Sequence, residues 1–197
     1  MKNIKIKKSI IIRSPKKFNK KKNEVLAFIA KYDPFSILEK ITARKFKITK
    51  FILQHKDLKK EARFKDNIIY VDFNSPADYI WLCLSHELAH IILRDPPWNK
   101  KGQIKKIIDN KKGVYSKYQY NFSYAIEQTV AILLQAVCEN KADIRKLKWE
   151  NWKYTFKCMG VGGFGKKLWK PWLRYLINHS KYKNIDQWIL KMLKRLY

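Results

Sequence analysis

The sequence predicts an α+β protein: a small antiparallel sheet packed on two apolar helices, with extra helices toward the C-terminal end. Three observations predict it. Strand-like runs fall within the first 73 residues. Two long apolar stretches beyond them carry helix start and stop signals. The last third then reads as helices rich in Trp and Lys. Strands clustered ahead of long helices fit the α+β class.

Composition bounds the rest. The chain has 197 residues, enough for one domain with a sizeable core. It carries 44 Lys+Arg against 16 Asp+Glu, a formal net charge of +28, yet 46% of it is hydrophobic, too apolar for a disordered polycation. No apolar run approaches the roughly 18–20 residues of a membrane span. The cysteines Cys83, Cys138 and Cys158 are odd in number and far apart, with no CxxC, which points to no disulfide framework. Ser9–Ile12 is too brief for a signal-peptide core. The expected location is therefore cytoplasmic.

Charge is unevenly spread. Residues 1–22 hold ten basic side chains and no acid, 23–140 hold 19 and 13, and 141–197 hold 15 and 3. Three parts follow: a basic N-terminal arm (1–22), a central body (23–140) and a basic, Trp-rich helical extension (141–197). The basic ends suit contact with nucleic-acid phosphate or an anionic surface. They suit plain solvation equally, since 37 of the basic residues are Lys, as AT-rich coding would impose.

In chain order, Ile10–Ile12 suits a sheet edge. Asn23–Lys31 reads as a short helix capped by Asn23, and Ser36–Lys45 as a second beyond Asp33-Pro34. Lys47–Leu53 is strand-like. Ala62–Phe64 and Ile68–Phe73 flank Lys65-Asp66-Asn67 as a hairpin. Ser75 as N-cap, Pro76 at the first helical position and Asp78 in the first turn open a helix that runs to Leu93, before Pro96-Pro97. A Lys-rich connection covers 98–120. Phe122–Asn140 is a helix, apolar on nearly every side. Gly160, Gly162, Gly163 and Gly165 read as a flexible break, followed by helices over Lys166–Asn178 and Ile185–Tyr197.

The chemistry lies in His86-Glu87-Leu88-Ala89-His90. Histidines at i and i+4 project from one helical face, so both imidazoles can reach one metal ion, whereas Glu87 is rotated by about 100°. It sits beside such an ion without binding it, where a general base is needed. The helix is otherwise apolar, and three ionisable groups there are costly unless engaged. Zn2+ is the expected cofactor, with His86 and His90 as ligands.

A catalytic zinc takes three protein ligands. His55, Asp95, His179 and Glu139 are weaker candidates. Pro96 and Leu93 stand where an extended metzincin pattern needs His and Gly. Glu127 is the better candidate: no basic residue lies between Tyr118 and Asn140 to pair with it, and metal ligation would satisfy a carboxylate on so apolar a helix. Cys83 reads as packing, and Cys158 as a remote candidate for a thiolate latch.

His86-Glu87-Leu88-Ala89-His90, preceded by the 62–73 hairpin and Ser75-Pro76 and followed by the Glu127 helix, resembles the gluzincin metallopeptidases, closest to the minigluzincins and the ImmA/IrrE-type peptidases. The resemblance covers roughly residues 40–140. It implies a short sheet against an active-site helix and a glutamate helix, with His86, His90 and Glu127 as zinc ligands and Glu87 as general base. The implied activity is hydrolysis of peptide bonds in a protein or peptide substrate. The SprT-like proteases are also basic, but use a third histidine, and none follows His90 until His179. Tyr118, Tyr120 and Tyr124 are candidates for the oxyanion donor. The alternative is a degenerate scaffold whose basic ends bind nucleic acid or a protein partner. The 141–197 segment is expected to pack near the cleft, either controlling access or completing the domain.

Overall fold

The computed structural model describes residues 8–58, 62–93 and 122–196. Along the chain come β1 (Ser9–Arg13), α1 (Asn19–Tyr32), α2 (Pro34–Thr42), β2 (Lys50–His55), β3 (Arg63–Lys65), β4 (Ile68–Val71), α3 (Ala77–Leu93), α4 (Phe122–Glu139), α5 (Trp149–Cys158), α6 (Gly162–Asn178) and α7 (Ile185–Leu196). The fold is α+β with extra C-terminal helices. The connection expected over 98–120 lies outside the described residues.

The four strands run in the order β1-β2-β4-β3. Only the β3–β4 hairpin is antiparallel, turning at Asp66 (φ 57°) and Asn67. The β1–β2 and β2–β4 pairs are parallel, so the sheet is mixed where an antiparallel one was expected. Parallel neighbours need a crossover, and α1 with α2 provides it between β1 and β2. Ile12, Leu53 and Ile69 line up across the three central positions. All three are buried, as are Phe51 and Val71 on the same strands.

Local chemistry shifts several boundaries. The first helix starts at Asn19, so Asn23 is inside it, and the described part of the expected basic arm (8–22) holds β1, a short 3-10 turn and the first turn of α1. Asp33 opens α2, its carboxylate accepting from the Ser36 N–H at 3.2 Å. The Trp149–Cys158 helix was not anticipated. Nor are the glycines a flexible break. Gly160, at φ 73°, closes α5 with the Val161 N–H donating to the Phe156 carbonyl at 2.9 Å, a left-handed helix cap. Gly165 lies in α6 where a Cβ would come 2.5 Å from the Phe156 ring, so α5 and α6 touch there because glycine has no side chain.

One buried cluster runs from Ile12 to Leu193, and the last three helices belong to it. Trp152, Trp169, Trp172 and Trp188 are buried, the ring of Phe164 lies 5.8 Å from that of Phe122 on α4, and Trp172, Tyr175 and Trp188 stack among themselves. Two polar ties join this part to α2: Tyr175 Oη donates to the Ile41 carbonyl at 2.5 Å, and Arg44 Nη2 meets Asp186 Oδ2 at 2.6 Å while Nη1 donates to the Ile92 carbonyl at 3.0 Å. No helix among the described residues is long and apolar enough to cross a membrane.

At the N-terminal side, Glu39 accepts from Lys8 Nζ at 2.5 Å, Lys45 Nζ at 3.1 Å and the Phe46 N–H at 3.0 Å. Burial pushes its pKa up, but these three donors outweigh burial and hold it below the usual carboxylate value. A depressed native pKa contributes stability that is present above the unfolded value and lost as pH falls through the native one. Glu39→Gln is expected to destabilise the protein by on the order of 1 kcal/mol at neutral pH and to leave a shallower loss of Tm on acidification. Thermal melts of both proteins from pH 7 to pH 3 measure this, and parallel curves would exclude the assignment.

Candidate metal centre

The site is built where α3 packs against α4. α3 begins at Ala77, with the Pro76 carbonyl accepting from the Ile80 N–H at 3.0 Å. Pro76 thus occupies the cap expected of Ser75; its missing N–H costs nothing there. From this start the helix turns Trp81, Leu84, Leu88 and Ala89 inward and leaves His86, Glu87 and His90 partly buried on the α4 side or its margin. α4 has buried side chains around nearly its whole circumference, including the polar Gln128, Thr129 and Gln135.

Nε2 of His90 stands 3.1 Å from Nε2 of His86, the rings nearly perpendicular at 80°. Their outer nitrogens are held by α4. His90 Nδ1 is 2.9 Å from Glu127 Oε1, and His86 Nδ1 is 3.1 Å from Gln135 Oε1, whose Nε2 in turn donates to Glu139 Oε1 at 2.9 Å. A carboxylate and an amide oxygen only accept, so both Nδ1 atoms carry a proton, and with both rings neutral the two Nε2 atoms present lone pairs. Two lone pairs facing each other at 3.1 Å repel unless a cation stands between them. Nitrogens bound at roughly 2.0–2.1 Å to a tetrahedral ion lie about 3.3 Å apart, so the pair is spaced for one. The donor set fits zinc: neutral imidazoles whose other N–H groups go to acceptors are the usual zinc ligands.

Electrostatics agree. Burial pushes His86 down to about 3, with His90 adding to the shift and the Gln135 hydrogen bond opposing it, so the ring is neutral at ordinary pH. Gln128 keeps its own Oε1 buried with no hydrogen-bond partner among the described residues. Burial raises Glu139 to about 7 against the Gln135 hydrogen bond. Cys83 is likewise raised by burial, to about 11, the Tyr79 hydrogen bond opposing and the Glu87 charge adding, so it stays a thiol. Tyr79, Cys83 and Glu87 form a stripe at i, i+4 and i+8, which places Cys83 one turn from the general-base candidate.

Glu127 therefore reaches the pair, through the outer nitrogen of His90. Its carboxylate accepts from Nδ1, the outer nitrogen of His90, and as placed it orients the ring and supplies negative charge behind it. Among the described residues no three His, Cys, Asp or Glu side chains converge as a metal-holding group. The other candidates stand elsewhere. His55 Nδ1 accepts from the Phe73 N–H at 3.1 Å, its ring against Phe18, and His179 Nδ1 meets the Leu176 carbonyl at 2.9 Å. Glu139 stands behind Gln135. Cys158 is exposed at the end of α5. Tyr124 is 40% exposed in the first turn of α4. Asp95, Tyr118 and Tyr120 lie outside the described residues. Sequence reasoning missed Gln128 and Gln135. Their signal was available, since positions 128, 135 and 139 form a polar stripe at helical spacing on an apolar helix.

The placement of Glu127 yields a test. An amide at 127 keeps an acceptor for His90 Nδ1 and loses only the charge, so Glu127→Gln is expected to weaken zinc binding by about 10–100-fold while retaining one ion per chain. Loss of stoichiometric zinc in that variant, read by chelator competition and metal analysis, would make Glu127 a direct ligand instead. No family model, curated protein or solved structure matches the chain, and the geometry around His86 and His90 carries its functional reading.

Proposed function

We propose that the protein is a zinc-dependent metallopeptidase. The single observation that carries this reading is the facing pair of imidazole lone pairs at 3.1 Å, with Glu87 next in sequence to His86 and excluded from the pair. His86 and His90 would hold the ion through Nε2, with Glu127 behind His90. When bound, zinc would supply Lewis acidity and a water acidic enough to be deprotonated near neutral pH. Glu87 would take that proton at its carboxylate and deliver it to the leaving amine. Cys83, as a neutral thiol, would leave the base unopposed.

Glu87→Gln tests the assignment. It is expected to lower hydrolysis of an unfolded protein substrate by at least about 100-fold while zinc content stays near wild type. Zinc lost together with activity would make Glu87 a ligand or a prop, and undiminished activity would end the peptidase reading.

A second reading is favoured by one separate feature. A cavity of about 660 Å³ lies where α6 and α7 meet, lined by Arg174, Lys181, Lys191, Lys194 and Arg195 and by no acid. The one acid of α7, Asp186, is turned inward to Arg44. Such a groove suits the phosphate backbone of a nucleic acid. Binding of a DNA oligonucleotide should then weaken steeply with salt, and Lys191→Glu should reduce both the affinity and the salt slope. Salt-independent binding, or none, would remove this reading and leave the metal centre untouched.

A further inference from the structure

The best-supported step beyond the proposed ion and its base concerns Gln135. The inference rests on the zinc reading and extends it to a residue that does not touch the ion. We infer that Gln135, held by Glu139, is the positioning residue that fixes the His86 tautomer and so keeps its Nε2 open as a metal donor.

The chain of hydrogen bonds has a direction. A primary amide has one accepting and one donating end, and it can swap them unless a neighbour forbids it. Glu139 is that neighbour. Its Oε1 receives Gln135 Nε2 at 2.9 Å, which leaves Oε1 of the amide for His86 at 3.1 Å. His86 must then carry its proton on Nδ1. Were the amide reversed, its NH2 would face Nδ1, the proton would move to Nε2, and the nitrogen aimed at His90 would cease to be a donor to metal.

Position and burial support the role. Gln135 is 6% exposed, so its amide has no bulk water with which to exchange partners, and it stands one helical turn from Glu139. Glu127 and Gln135 are eight residues apart on α4, about 12 Å along the axis. That spacing lets one helix flank both imidazoles from their outer sides while the inner nitrogens face each other. The two arms are not alike. His90 is oriented by a carboxylate, which cannot be reversed. His86 is oriented by an amide, which can, and Glu139 in its carboxylate form is what removes that freedom. A partly buried glutamate paired to a glutamine, rather than to a cation, has no evident stabilising purpose of its own.

Two readouts test the inference. In the zinc-free wild-type protein, long-range nitrogen–proton NMR of the histidine rings should show His86 with its proton on Nδ1, and Gln135→Leu should lose that preference. In a chelator competition, Gln135→Leu should weaken zinc binding by about 10–100-fold. The exchanged pair Gln135→Glu with Glu139→Gln keeps an acceptor on His86 and a donor–acceptor contact behind it. It should recover affinity to less than the tenfold end of that range. Gln135→Met serves if the leucine variant does not fold. A wild-type protein that binds no zinc overturns the metallopeptidase reading. A wild-type protein that binds zinc, with equal affinity in the leucine or methionine variant, overturns the role of Gln135. So does an exchanged pair as weak as the leucine variant, or an Nε2 proton on His86 in the wild type.

Discussion

Burial of α4 on almost every side is the constraint on which the rest of this structure depends. A helix so enclosed leaves water little access to its polar side chains, and Glu127, Gln128, Gln135 and Glu139 are all on it. Glu127, Gln135 and Glu139 meet partners within the protein. α3 supplies imidazoles for Glu127 and Gln135, and Gln135 in turn donates to Glu139. The polar cluster is thus a solution to a packing problem as much as a chemical device. Its two inner nitrogens face each other at 3.1 Å while the outer nitrogens are drawn to α4.

The same constraint explains what could be read from the amino-acid order. The histidine pair depends only on helix period and on start signals next to it, so His86 and His90 were legible. That Glu127 would meet them was legible too, because an apolar helix without cations leaves a carboxylate few choices. Which nitrogen it would meet was not. That depends on side-chain orientation between helices whose contacting residues are 37 apart in sequence, and no local pattern encodes it. The hairpin at Asp66-Asn67 was readable from its turn, whereas the parallel pairing of β1 and β2 follows from the crossover through α1 and α2. The glycines misled for a related reason: their role is contact between α5 and α6, with Phe156 filling the space that any side chain at 165 would need.

Charge and hydrophobicity are sorted in the last third of the chain by direction, not by position along it. Tryptophans turn inward to a shared aromatic layer and lysines turn out, alternating on the same helices. An acid that would have balanced them, Asp186, is spent on Arg44 in the interior. The surface over α6 and α7 is therefore basic because of what the core required as well as because lysine is abundant.

The ties between α2 and the last helices have a consequence for the order of assembly. Arg44 waits for Asp186, 142 residues later, and the Ile41 carbonyl waits for Tyr175, 134 residues later. During synthesis the sheet, α3 and α4 emerge first, with the surfaces that α6 and α7 will cover still open to solvent. A growing chain folds domain by domain from its N-terminal side, but here closure of the body is deferred until the final helices leave the ribosome. The nascent protein therefore passes through a stage in which Arg44 and the Ile41 carbonyl have yet to meet Asp186 and Tyr175.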